Sequence, residues 1–138
     1  MRRLPLLLVV PLMALALPAT AQAGDDQVFG TIHTYATALA YLERHAGDAP
    51  GPSAGPRFAA RCGRMAQRAG ERLARERPST PVGATLRRQA VRAFADVRVG
   101  CRLFLLAVKA NRDERLFALG AVRLSRGFRF LAAWGAIL

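Results

Sequence analysis

RFAARCGRMAQRAGERLARER, residues 57–77, carries arginine at 57, 61, 64, 68, 72 and 75. The gaps of 4, 3, 4, 4 and 3 follow the turns of an α-helix. On a helical wheel of about 100° per residue the six arginines share an arc of about 80°. Phe58, Cys62, Met65, Ala66, Ala69 and Leu73 fill the neighbouring arc, and Ala60, Gly63, Gly70 and Ala74 form a third, small-residue side. A helix with one apolar side, one side narrow enough for close approach and one charged edge belongs in a bundle.

The rest of the chain repeats the helical period. Residues 25–46 place Val28, Ile32, Tyr35, Leu39, Leu42 and Ala46 on one stripe, with Asp25 and Asp26 suited to a helix N-terminus. GDAPGPSAGP, residues 47–56, is a loop by its three glycines and three prolines. A second helix is predicted over 56–76. RPSTPVG, residues 77–83, breaks the pattern, with Thr80 as N-cap and Pro81 in the first turn of a third helix over 81–110. That helix aligns Leu86, Ala90, Ala93, Phe94, Val97, Cys101, Phe104 and Val108, and its LFLLAV segment (103–108) is apolar nearly all round, which predicts a central position. Asn111 and Glu114 read as a capping box for a fourth helix over 112–137, carrying Leu116, Leu119, Phe128, Phe130, Leu131, Trp134 and Ile137. No β-branched alternation supplies a sheet. The expected fold is all-α, a four-helix, bundle-like single domain.

Residues 1–23 read as a cleavable secretory signal peptide: Arg2 and Arg3, then an apolar run from Leu4 to Leu17, then Ala21-Gln22-Ala23 at the cut. The run is too short to span a bilayer comfortably. The expected location is therefore periplasmic or secreted, and the working domain is 24–138. Without Arg2 and Arg3 it holds 19 basic residues against 9 acidic ones, a formal charge of +10. Such a charge favours anionic partners, although 20 arginines to one lysine also fits a compositional habit with no partner behind it.

Cys62 and Cys101 are the only cysteines. In an exported chain an even pair predicts one disulfide. The midpoint of the two positions falls in the 77–83 turn, so an antiparallel hairpin of helices two and three would bring them level on their apolar faces. Closing that loop is worth roughly 3–4 kcal/mol by the chain-entropy estimate.

Chemistry-bearing motifs are absent. His33 and His45 are the only histidines, and His33 falls on the polar side of its helix, away from Met65. No Cys-x-x-Cys-His or Glu-x-x-His motif is present, so no metal or cofactor is expected. Ser53, Ser79 and Ser125 lack a neighbouring base, and no catalytic residue is assigned.

Two surfaces remain. Arg57, Arg61, Arg64, Arg68, Arg72 and Arg75 are the anion-binding candidates, for an anionic envelope component or an acidic protein. Their five adjacent pairs repel by roughly 1–2.5 kcal/mol in total at low salt, with Glu71 expected to relieve Arg68 and Arg75. Arg126, Arg129, Phe130 and Trp134 are the membrane-interface candidates, since a basic helix with aromatics can lie in a lipid headgroup layer; the competing role for these aromatics is burial in the bundle. Nucleic acid is disfavoured, because no stacking aromatics interleave with the arginines and the chain is expected outside the cell. The function expected is a non-enzymatic binding or structural protein, with a membrane-interface protein and an enzyme lacking visible motifs as alternatives.

Overall fold

A computed structural model describes residues 19–46 and 54–135. Among them are four helices and no strand: α1 (Ala19–Arg44), α2 (Ala54–Arg75), α3 (Pro81–Lys109) and α4 (Glu114–Gly135). Most of the segment expected to be a signal peptide lies outside the described residues, as do Ile137 and most of the 47–56 loop. α1 begins at Ala19 and runs unbroken past Ala23 and Gly24, where the cut is expected.

Successive helices run antiparallel. Thr31, midway along α1, bonds Glu76 just past the end of α2. Cys62 meets Cys101 across the α2–α3 hairpin, and Gly100 meets Gly120 across α3 and α4. Phe29 packs on Trp134, with ring centroids 5.4 Å apart, and joins the first helix to the last. Among the described residues α2 and α4 make no close backbone contact, so they occupy opposite corners with α1 and α3 between them.

The core is built from Val28, Ile32 and Leu39 of α1, Cys62 and Leu73 of α2, Phe94, Val97 and Cys101 of α3, and Leu131 of α4. Ala36, Ala59, Ala66, Ala69, Ala90 and Ala93 fill the spaces between them. The α2 core face is thus turned toward its alanines, and the bulkier Phe58 and Met65 sit half-buried at its margin. Tyr35 meets Phe94 edge-on at 6.3 Å. LFLLAV is not central: Leu106 and Val108 are exposed, because the segment lies at one end of the bundle. Phe104 closes that end against Phe117 at 5.1 Å.

The join between α1 and the α2–α3 turn is polar. Thr80 caps α3, accepting from the Gly83 amide at 3.1 Å, and Pro81 follows it. Asp25, predicted to serve its own helix, instead accepts from the Ser79 amide at 2.7 Å, the Thr80 amide at 3.2 Å and the Thr80 hydroxyl. It lies more than a turn inside α1 and so faces the start of α3, where a negative charge is favoured. Gly83 permits this, since a Cβ there would collide with the Asp25 carboxylate. On the other side of the turn Arg87 donates to the carbonyls of Leu73 and Ala74 at 3.4 Å and Glu76 at 2.9 Å, capping the end of α2.

The α3–α4 connection differs from the expected capping box. Asn111 and Arg112 both adopt positive φ, 54° and 63°. Asp113 then becomes the cap, accepting from the Arg115 amide at 2.9 Å and the Leu116 amide at 3.2 Å. Two left-handed residues carry the chain too far round for Asn111 to reach those amides, so α4 starts at Glu114.

α3 and α4 approach through glycine. A Cβ at Gly127 would sit 2.6 Å from Ala93 O and Val97 Cγ2, whereas one at Gly70 of α2 would meet nothing within 4 Å. Gly127→Ala should therefore destabilise the protein by about 1–3 kcal/mol through overpacking. Gly70→Ala should stabilise it by about 0.5–1 kcal/mol through helix propensity. Denaturant unfolding checks both; midpoints moving in the same direction contradict this packing.

The Thr80 hydroxyl is the main influence holding the Asp25 carboxyl below the usual carboxylate range, with the Ser79 and Thr80 amides assisting against desolvation. A depressed carboxyl stabilises the fold above its unfolded value of about 3.9 and loses that contribution as pH falls through the lower folded value. The stability gap between the wild type and Asp25→Asn should narrow as pH is taken below about 4. A gap constant from pH 7 to pH 2 would exclude a charged Asp25 latch.

Candidate functional site

α2 is a corner helix, and the six arginines occupy its outer edge. Its apolar side faces the core, and Gly63 lets α3 approach, with Cys101 Cβ 3.4 Å from where a Gly63 side chain would begin. On the remaining edge Arg57, Arg61, Arg64, Arg68, Arg72 and Arg75 are all exposed. The small-residue side is only partly used. Around Gly70 and Ala74 it opens into a groove of about 400 Å³ floored by Val91 and Phe94.

Neutralisation along the edge differs from the expectation. Glu71 does not serve Arg68 or Arg75 through its carboxylate, which instead accepts from the Gln67 amide at 2.8 Å. Arg75 donates to the Glu71 backbone carbonyl at 3.2 Å. The carboxylate that meets the stripe is Glu76, 3.4 Å from the Arg72 Nε. Among the described residues Arg61, Arg64 and Arg68 form no ion pair.

A cleft of about 590 Å³ lies beside the C-terminal half of the stripe, lined by Arg68, Glu71, Arg72 and Arg75 of α2, Gln27 and Tyr35 of α1, and Glu76. The Glu76 side chain is only 9 % exposed. Its Oε1 accepts from the buried Thr31 hydroxyl and faces Arg72, while its Oε2 is buried with no hydrogen-bond partner. Glu76, Thr31, Gln27 and Tyr35 escaped the sequence reading of the site. The Arg72-to-Glu76 spacing of four residues was its one visible signal. At the other end of the edge, Arg57 and Arg61 border a smaller hollow of about 400 Å³ with Tyr41 and His45.

The membrane-interface candidates divide. Arg126 and Arg129 are exposed, but Phe130 and Trp134 pack against the core. The large apolar α4 side chains that are exposed are Leu119 and Val122. Arg123 pairs with Asp96 of α3 at 2.8 Å. No described helix is long and apolar enough to cross a membrane.

Cys62 and Cys101 are buried side by side as two thiols in hydrogen-bonding contact. That contact and burial push the Cys62 thiol well above its ordinary range, so it is a poor nucleophile as it stands. Among the described residues no group of histidine, cysteine and carboxylate side chains is placed to hold a metal ion. His33 lies 3.5 Å from the Thr37 hydroxyl on the outside of α1.

The chain matches no family model, no curated protein and no solved structure.

Proposed function

We propose that this chain is an exported, non-enzymatic helical protein that docks through the arginine edge of α2 on an anionic envelope component or an acidic protein. The observation that carries the reading is the edge itself: six exposed arginines on one corner helix, with Arg61, Arg64 and Arg68 unpaired among the described residues. Like charges spaced one turn apart repel, so three of them left unneutralised form a preorganised cationic rail for a polyanion. In this reading residues 1–23 are removed on export and the buried cysteine pair closes as a disulfide in an oxidising compartment. Intact mass of the exported protein tests both together. It should begin at Gly24 and lie two hydrogens below the dithiol form; a retained leader or two free thiols contradicts that part.

The membrane-interface alternative has less support, because Phe130 and Trp134 pack against the core. Against the enzymatic alternative, the arginine cleft brings together no nucleophile with a base beside it.

Binding to vesicles containing anionic lipid, or to polyphosphate, should weaken steeply as salt rises from 50 to 300 mM, on the order of tenfold or more. The combined change of Arg61, Arg64, Arg68 and Arg72 to Gln should abolish binding while the helical content holds. Salt-insensitive binding, or none at low salt, rules the docking role out.

A further inference from the structure

We infer that the α2–α3 turn is a binding site for the chain's own new amino terminus, the α-ammonium group of Gly24 left when residues 1–23 are removed. This rests on the export reading proposed above and gives the cut a structural consequence.

Three observations meet at this corner. The Gly24 nitrogen donates to Ser79 Oγ at 3.1 Å, from 55 residues away in sequence. Gly24 is also pressed against the turn: a Cβ there would lie 2.3 Å from the Arg77 carbonyl oxygen and 2.4 Å from Ser79 Oγ. Only glycine fits at this position without moving the turn. The Asp25 carboxylate, bonded to the Ser79 and Thr80 amides, places a negative charge one residue further on.

Cleavage changes the chemistry of that nitrogen. As a peptide amide inside α1 it carries one proton and no charge. As a terminal ammonium it carries three protons and a full positive charge. Positive charge at a helix N-terminus is ordinarily unfavourable, because the free amides there are the positive end of the helix dipole. Here the cut leaves Asp25 and Asp26 in the first turn of the shortened α1, which offsets that cost. Ser79 Oγ and the Arg77 carbonyl are acceptors in the same corner, and a hydrogen bond from a charged donor is stronger than a neutral one. Arg77 is the only charged side chain in the 77–80 turn, and it is exposed; Thr80 and Gly83 at the start of α3 do not titrate. The order of events also follows. Proteolysis acts on accessible, locally unfolded chain, whereas the bundle holds Ala23 and Gly24 in a helix with Gly24 against the turn. Cleavage therefore precedes the docking of α1, and the terminus it creates completes the corner.

Thermal unfolding of three chains tests the site: the exported protein beginning at Gly24, the same protein acetylated at its amino terminus alone, and a chain that keeps Ala23. On an undocked helix, acetylation removes an unfavourable charge and so stabilises. The site predicts the opposite sign, with the free Gly24 terminus melting about 2–5 °C above both other chains at pH 6. An amine held by the fold titrates above its ordinary value of about 8, so its contribution is complete below that value and is lost as pH rises through the folded one. The gap over the acetylated chain should therefore be present at pH 6 and closed by about pH 10. Ser79→Ala removes the hydroxyl but keeps the amide that serves Asp25, and it should narrow the gap at pH 6. An acetylated chain that melts at or above the free one overturns the site, as does a gap indifferent to pH or to Ser79→Ala. An exported protein whose mass shows a first residue other than Gly24 overturns the export reading, and the site with it.

Discussion

Where the start of α1 meets the α2–α3 turn, the Asp25 carboxylate accepts from Ser79 and Thr80 together, and the geometry of the bundle follows from that join. Three hydrogen bonds hold α1 in one register against the hairpin. Hydrogen bonds to an ionised group are stronger than neutral ones, and a helix N-terminus adds favourable polarity. Arg87 closes the carbonyl end of α2 from the same region. With Thr31 then delivered to Glu76, α1 crosses α2 on its apolar side and leaves the arginine edge uncovered.

That register gives α2 its place. A corner helix has two sides occupied by neighbours and one facing water, and the α2 backbone comes close to α1 and α3 but not to α4 among the described residues. Arginine stems can lie along the apolar margin while their heads stay solvated, so the edge is compatible with a small folding free energy. The repulsion along it, roughly 1–2.5 kcal/mol at low salt, is tolerable where the alanine-filled core and the capped turn hold the helix in place. A bound anion would relieve that repulsion, so the proposed docking would be coupled to the stability of the helix.

Much of the fold was legible because it is written in local periodicity. The three-sided character of 57–75, the Thr80-Pro81 start of α3 and the levelling of Cys62 with Cys101 all follow from spacing along one or two helices. What could not be read depends on contacts between distant segments. Asp25 carries the local mark of a helix N-terminus, yet it serves α3 because α1 extends back to Ala19. Asn111 has the sequence of a cap, but the left-handed turn at 111 and 112 hands that role to Asp113. LFLLAV has the composition of a bundle centre, although its place at one end leaves Leu106 and Val108 in solvent. The site divided in the same way. The arginines announced themselves by period, whereas Glu76, Thr31, Tyr35 and Gln27 come together only through the packing of α1 on α2.

The central claim is that the α2 edge, and not the overall basic charge, makes the contact with anions. Many arginines lie elsewhere, including Arg88, Arg92, Arg98 and Arg102 of α3 and Arg115 and Arg126 of α4, and all of these are exposed to water as well. NMR of the arginine Nε–H groups during titration with polyphosphate separates the two cases directly. The account predicts shifts concentrated on Arg61, Arg64, Arg68, Arg72 and Arg75, with the α3 and α4 arginines nearly still. Shifts spread evenly over every arginine would contradict it, and would make the stripe an ordinary solvated face of a basic protein.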